Sequence, residues 1–114
     1  TERWEQSAAY YLDRHPAVKA WVKNSGLGFG IPYLHNGQMH DYVPDFLARL
    51  APEPPRLLIL ETKGFDPLAE VKRAAAERWV KAVNADGTSG RWLYAMARKP
   101  SDIDAILKWA VESR

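Results

Sequence analysis

The chain has no cysteine among its 114 residues. That absence removes disulfides and thiolate metal sites together, and it fits a reducing compartment. No apolar run is long enough to span a bilayer, and no stretch reads as a secretory leader. The loop Gly-x-x-x-x-Gly-Lys-Ser/Thr is missing, which excludes nucleotide triphosphate hydrolysis by that route. Nothing reads as a helix-turn-helix or another base-reading element. There is no internal repeat and no low-complexity linker. Charge of one sign is also scarce, since 16 Lys and Arg against 14 Asp and Glu leave a formal +2. Such a balance permits nucleic-acid binding only through local clustering.

What is present argues for a packed globule. Hydrophobic residues make up 46% of the chain, five of them tryptophans. The length allows one domain, residues 1–114, with a modest core. The chain begins at Thr1 instead of Met, so it is expected to be a piece of a longer polypeptide.

Periodicity and turn residues place the elements. Trp4, Ala8, Tyr11 and Leu12 recur at helical spacing over Glu2 to Arg14, and His15-Pro16 ends the pattern. Glu5 falls at the border of that apolar face. Ala17 to Asn24, with Val18, Trp21 and Val22, reads as a second short helix stopping at Ser25-Gly26. Phe29 to Leu34 reads as a strand, and Asn36-Gly37 as a tight hairpin turn into a partner strand over Met39 to Leu50, bent at Pro44. Asp66-Pro67 predicts the start of a helix running to about Val83 or Asn84, with Leu68, Val71, Ala75, Trp79 and Ala82 as its core stripe. Arg91 to Ala97 reads as another strand, and Ser101 as the cap of a last helix through Ser113.

The stretch from Tyr42 to Gly64 carries the chemistry. Leu57 to Leu60 is an unbroken apolar run bounded by Pro52-Glu53-Pro54-Pro55 and Gly64, which suits a short strand buried on both faces. Such a strand should not end in Glu-x-Lys without a reason, because each unpaired buried charge costs several kcal/mol. Strand alternation points Glu61 and Lys63 to one face, and a single hairpin would bring Asp45 beside them. Two carboxylates and an ammonium make a site for a hard divalent cation plus one positive group.

Pro44-Asp45 followed by Glu61-Thr62-Lys63 resembles the signature of the PD-(D/E)XK nuclease superfamily. With Tyr42-Val43-Pro44-Asp45-Phe46, Glu61-Thr62-Lys63-Gly64, Arg78-Trp79 and Ala82-Val83-Asn84, the chain is similar to the C-terminal endonuclease domain of type III restriction enzyme Res subunits. The likeness spans most of the chain, from the first helix to the strand near Leu93. It implies an α/β fold with a restriction-endonuclease-like core, in the order helix, three-strand antiparallel meander, helix, strand, with an extra C-terminal helix. It implies hydrolysis of DNA phosphodiester bonds with Mg²⁺, for which Mn²⁺ substitutes, held by Asp45, Glu61 and the backbone carbonyl of Thr62. Lys63 would steady the attacking water or the developing charge. Glu5 would touch the metal or its waters, and Lys72 matches a position from which the following helix sends a polar residue toward the site. The implied partners are double-stranded DNA, an upstream ATPase motor in the same polypeptide and a separate modification (methyltransferase) subunit, in a prokaryotic cytoplasm.

Plainer readings stand beside these. Asp45 also fits a bend after Pro44, and Glu61 with Lys63 a cross-strand ion pair. Lys72 fits equally a lysine snorkelling over Trp79. Arg73, Arg78 and Lys81 read as a solvated helix face, and His15, His35 and His40 as surface or turn residues. The tryptophans read as core, with Trp92 or Trp109 as base-stacking platforms the lesser option. The alternative functions are a non-cleaving nucleic-acid-binding or assembly module of the same fold, or a DNA repair nuclease.

Overall fold

The computed structural model describes residues 2–51, 53–62 and 66–113, and side chains from residue 6 onward. Helix α1 covers Glu2–Arg14, as its periodicity requires. Ala8 and Leu12 are fully buried, and beyond the helix end His15 Nδ1 accepts the Ala17 N–H at 3.1 Å.

The segment expected as a second helix is instead strand β1, Val18–Lys23. Its apolar spacing of three imitates a helix for a physical reason. A β-bulge lies between Val18, paired with Leu50, and Ala20, paired with Arg49. The extra residue puts Val18 and Trp21 on the same side of the sheet, where both pack on the core. Trp21 is further tied to α1 by its indole N–H, which donates to Asp13 Oδ1 at 2.7 Å.

Strands β2 (Ile31–His35) and β3 (Gln38–Tyr42) form a hairpin that is a sheet of its own. Its turn has Asn36 at φ 52° and Gly37 at φ 77°, the pair of positive angles that selects Asn-Gly in two-residue turns. The long partner strand expected over Met39 to Leu50 is therefore split. Val43-Pro44-Asp45 leaves the hairpin sheet, and β4 (Phe46–Leu50) joins another. Pro44 has no N–H to continue a ladder, so the break falls there.

The main sheet has the order β1-β4-β5-β6, with β5 spanning Arg56–Thr62 and β6 Arg91–Ala97. β1, β4 and β5 are antiparallel neighbours, and β6 runs parallel to β5. A parallel pair needs a crossover, and α2, Ala69–Asp86, supplies it. The antiparallel meander thus uses β1 in place of the predicted Phe29 to Leu34 strand, which the hairpin withdraws. Central strand β5 is buried from Leu58 to Thr62, as its unbroken apolar run predicts.

Both faces of the sheet are covered. Helices α1 and α3 (Asp102–Glu112) pack Ala8, Leu12, Ile103, Leu107 and Ala110 against Phe46, Leu58, Leu60 and Leu93. On the opposite face α2 and the hairpin enclose Ile59 and Tyr94 with Ile31, Tyr33, Tyr42, Ala75 and Ala76. Each large aliphatic side chain so buried contributes roughly 1.5–3 kcal/mol.

Three helix details differ from expectation. Asp66 is a turn residue and not the N-cap: its Oδ1 accepts the Leu68 N–H at 2.9 Å, and the helix begins at Ala69. Ala82 of the expected stripe is exposed, and Ala76 takes the core position. Ser101 makes no side-chain cap; Asp102 Oδ2 accepts the N–H groups of Arg98 and Lys99 instead. Trp109 is not core either, being 47% exposed.

Candidate active site

The sheet register sets the first contact. Phe46 pairs with Leu60, so Asp45, one residue before β4, faces Glu61 near the end of β5. The Asp45 N–H donates to Glu61 Oε1 at 3.0 Å. In return the Asp45 carboxylate reaches across to Thr62, whose N–H and Oγ1–H both donate to Oδ2, at 2.9 and 2.6 Å. Both bonds fall on Oδ2, and among the described residues nothing donates to Oδ1. Glu61 is 1% exposed, a depth at which a carboxylate requires partners.

The bend that presents Asp45 is pinned by Asn24, a residue that reads in sequence as the end of a short helix before Ser25-Gly26. The Asn24 N–H donates to the Asp45 carbonyl at 2.8 Å. Its side-chain Nδ2 donates to the carbonyls of Pro44 at 2.9 Å and Phe29 at 3.0 Å. Asn24 is buried, and one amide group thus fastens the end of β1 to both loops that flank the hairpin.

A second group missed in sequence lies on the Glu61 side. The Tyr42 and Tyr94 hydroxyls are 2.9 Å apart in the core. Burial pushes the Tyr42 phenol far above its usual range, helped by the Glu61 charge and by Tyr94. Tyr94 is pushed up to about 12, chiefly by burial, with its hydrogen-bonded contact to Tyr42 acting in the lowering direction. Only the spacing of Tyr42, two residues before Pro44, offered a signal. Tyr94 offered none.

Lys72 comes close to this group. Its Nζ pairs with Asp66 Oδ2 at 3.0 Å and lies 5.8 Å from the centre of the Tyr42 ring. Lys63 lies outside the described residues, and so does the side chain of Glu5, whose backbone is in α1. Among the described residues no three His, Cys, Asp or Glu side chains group as a metal cluster. Asp45 and Glu61 are linked through the Asp45 main chain and Thr62, and their carboxylates are hard ligands of the kind Mg²⁺ takes along with carbonyls and waters. His15 serves a turn, while His35 and His40 sit on the hairpin, His40 stacked 5.3 Å from Tyr33.

Arg73 pairs with exposed Glu70 at 3.0 Å, in keeping with a solvated face. Trp92 packs with Trp79 and Phe29 and is not an open platform. Trp109 lines an open groove with Met96 and Ile106, between β6 and α3. Comparison of the chain with protein-family models, with curated proteins and with solved structures finds no match.

Proposed function

We propose that this chain is a divalent-metal-dependent endonuclease domain of the PD-(D/E)XK type, hydrolysing DNA phosphodiester bonds. The observation that carries the reading is the contact of Asp45 with Glu61 and Thr62 where the start of β4 lies beside the end of β5. Sequence-distant residues of the motif, Asp45 just before β4 and Glu61-Thr62 at the end of β5, meet there across adjacent antiparallel strands. The element order around them, helix, antiparallel β1, β4 and β5, crossover helix and parallel β6, is consistent with a restriction-endonuclease-like core.

The residues present fit the metal this chemistry uses. The Asp45 and Glu61 carboxylates and the Thr62 carbonyl are all-oxygen ligands, suited to Mg²⁺ or Mn²⁺ and unsuited to soft metals. The bound ion would supply positive charge for the phosphoryl oxygens and lower the pKa of a water. The chain's own part is to fix the carboxylates. Asp45 is oriented by the Thr62 N–H and hydroxyl, and Glu61 by the Asp45 N–H. Lys63, next to Thr62 in sequence, is assigned the developing negative charge. Lys72 is assigned a supporting place beside Tyr42, and Glu5 a contact with metal-bound water.

Within this class the cleavage domain of a type III restriction enzyme is the reading favoured by the wider likeness of residues 42–46, 61–64, 78–79 and 82–84. Its partners would then be double-stranded DNA, an ATPase motor in the same polypeptide and a separate methyltransferase subunit, in a prokaryotic cytoplasm. The direct test is nicking of supercoiled plasmid by the chain with Mg²⁺ or Mn²⁺, alone and joined to its native upstream region. Nicking that stops with a chelator and with Asp45→Asn is expected. Metal-independent cleavage, or cleavage unchanged in Asp45→Asn, overturns the reading. DNA binding without cleavage in every preparation favours the non-cleaving module.

A further inference from the structure

We infer that Tyr42 and Tyr94 form a relay of hydroxyls that positions the Glu61 carboxylate and thereby sets how tightly the site holds a divalent cation. The inference rests on the metal-dependent reading above and assigns to it two residues outside the motif. Tyr42 closes β3, Glu61 lies near the end of β5, and Tyr94 sits mid-strand in β6. They come from three elements and meet on one face of the main sheet, where Ile59 pairs with Tyr94 and Glu61 follows two residues on. All three are buried: Tyr42 is 2%, Glu61 1% and Tyr94 9% exposed.

Proton counting fixes the direction of the relay. The Tyr42 hydroxyl lies 2.9 Å from that of Tyr94, and Glu61, on the same face of the sheet, is its other polar neighbour. A hydroxyl has one proton to give, and an ionised carboxylate can only accept. Tyr42 therefore donates to Glu61, and its oxygen accepts the proton of Tyr94. The reverse order would press the Tyr42 lone pairs against a carboxylate with no proton between them.

A packing role alone does not account for these hydroxyls. Phenylalanine would fill the same space without bringing polar atoms into a core, where an unmatched hydroxyl is destabilising. The position of Tyr42 is itself secured, with the Lys72 ammonium 5.8 Å from its ring centre and Lys72 held by Asp66 at 3.0 Å. Glu61 accepts the Asp45 N–H on Oε1, and the relay assigns it the Tyr42 hydroxyl as a second donor. Partners of this kind orient metal-ligating carboxylates, and losing one typically costs about 10–100-fold in metal affinity.

The test is direct Mn²⁺ binding to the chain without DNA, read as the loss of the free-ion signal in electron paramagnetic resonance. Tyr42→Phe is expected to weaken Mn²⁺ by about tenfold or more, with the fold confirmed by circular dichroism. Tyr94→Phe leaves the Tyr42-to-Glu61 bond in place and is expected to weaken it by only about threefold. Asp45→Asn is the reference and should not bind Mn²⁺ at all. Wild-type affinity in Tyr42→Phe, with Asp45→Asn inactive, overturns the relay and leaves the metal site standing. If Tyr42→Phe does not fold, Tyr94→Phe decides, and wild-type affinity there overturns the relay as well. Wild-type binding by Asp45→Asn instead removes the metal site, and the relay with it.

Discussion

The main-chain N–H of Asp45 donates to Glu61 Oε1, and Asp45 in turn binds the residue after Glu61, so neither acidic residue is oriented without the other. The link between them is Thr62, whose hydroxyl gives Asp45 its shortest contact at 2.6 Å. Thr62→Val keeps the shape and removes that donor. It is expected to lower stability by about 1–3 kcal/mol in urea unfolding, since Asp45 Oδ2 loses a partner at a largely buried position. Mn²⁺ affinity should fall with it. Unchanged stability and affinity together would show that the hydroxyl has no part in orienting Asp45.

Asn24 should matter more than its place at the end of an expected short helix implies. Asn24→Ala removes two donors from the buried carbonyls of Pro44 and Phe29, with an expected loss of about 1–3 kcal/mol. Asn24→Asp should be worse, because it sets an acceptor where a donor is needed, facing two carbonyls. Thermal unfolding of the two variants side by side checks the order. The reverse ranking would mean that volume, and not donation, is what Asn24 provides.

The tyrosine pair predicts how the fold responds to alkali. Both phenols are raised above the ordinary value of 10.0, Tyr94 to about 12. A raised pKa means that the folded state holds its proton more tightly than the unfolded chain. That stabilisation is complete below about pH 10 and is lost as pH rises through about 12. Stability measured in denaturant should therefore decline from about pH 10 upward, more shallowly in Tyr42→Phe. The check is the ultraviolet absorbance of tyrosinate followed in the folded and the denatured chain. A wild-type decline no steeper than that of Tyr42→Phe counts against the buried pair.

Lys63 is expected to act on the reaction and not on binding. On the proposed nuclease reading, Lys63→Ala should reduce plasmid nicking by about 100-fold or more, as for removal of one charge-stabilising donor. DNA affinity should change little, because it is spread over many phosphate contacts. Parallel nicking and binding titrations separate the two. Loss of both would make the cluster a docking surface, and wild-type nicking would release Lys63 from its assigned role.

The sequence by itself determined the local elements and the pairing that makes the site. The periodicity of α1, the Asn36-Gly37 turn, the apolar run of β5 and the whole of β6 are encoded within a few residues of themselves. The approach of Asp45 to Glu61 was legible because one short hairpin joins β4 to β5 and strand alternation does the rest. Tertiary structure alone decided β1. A bulge gave Val18 and Trp21 a helical spacing, and only pairing with β4 made the segment a strand. Tertiary structure also decided that β2 and β3 leave the main sheet, through a proline that ends one ladder before the next begins. Asn24 and Tyr94 were invisible for the same reason: each acts on a partner 20 or 52 residues away, across elements whose juxtaposition no local pattern records.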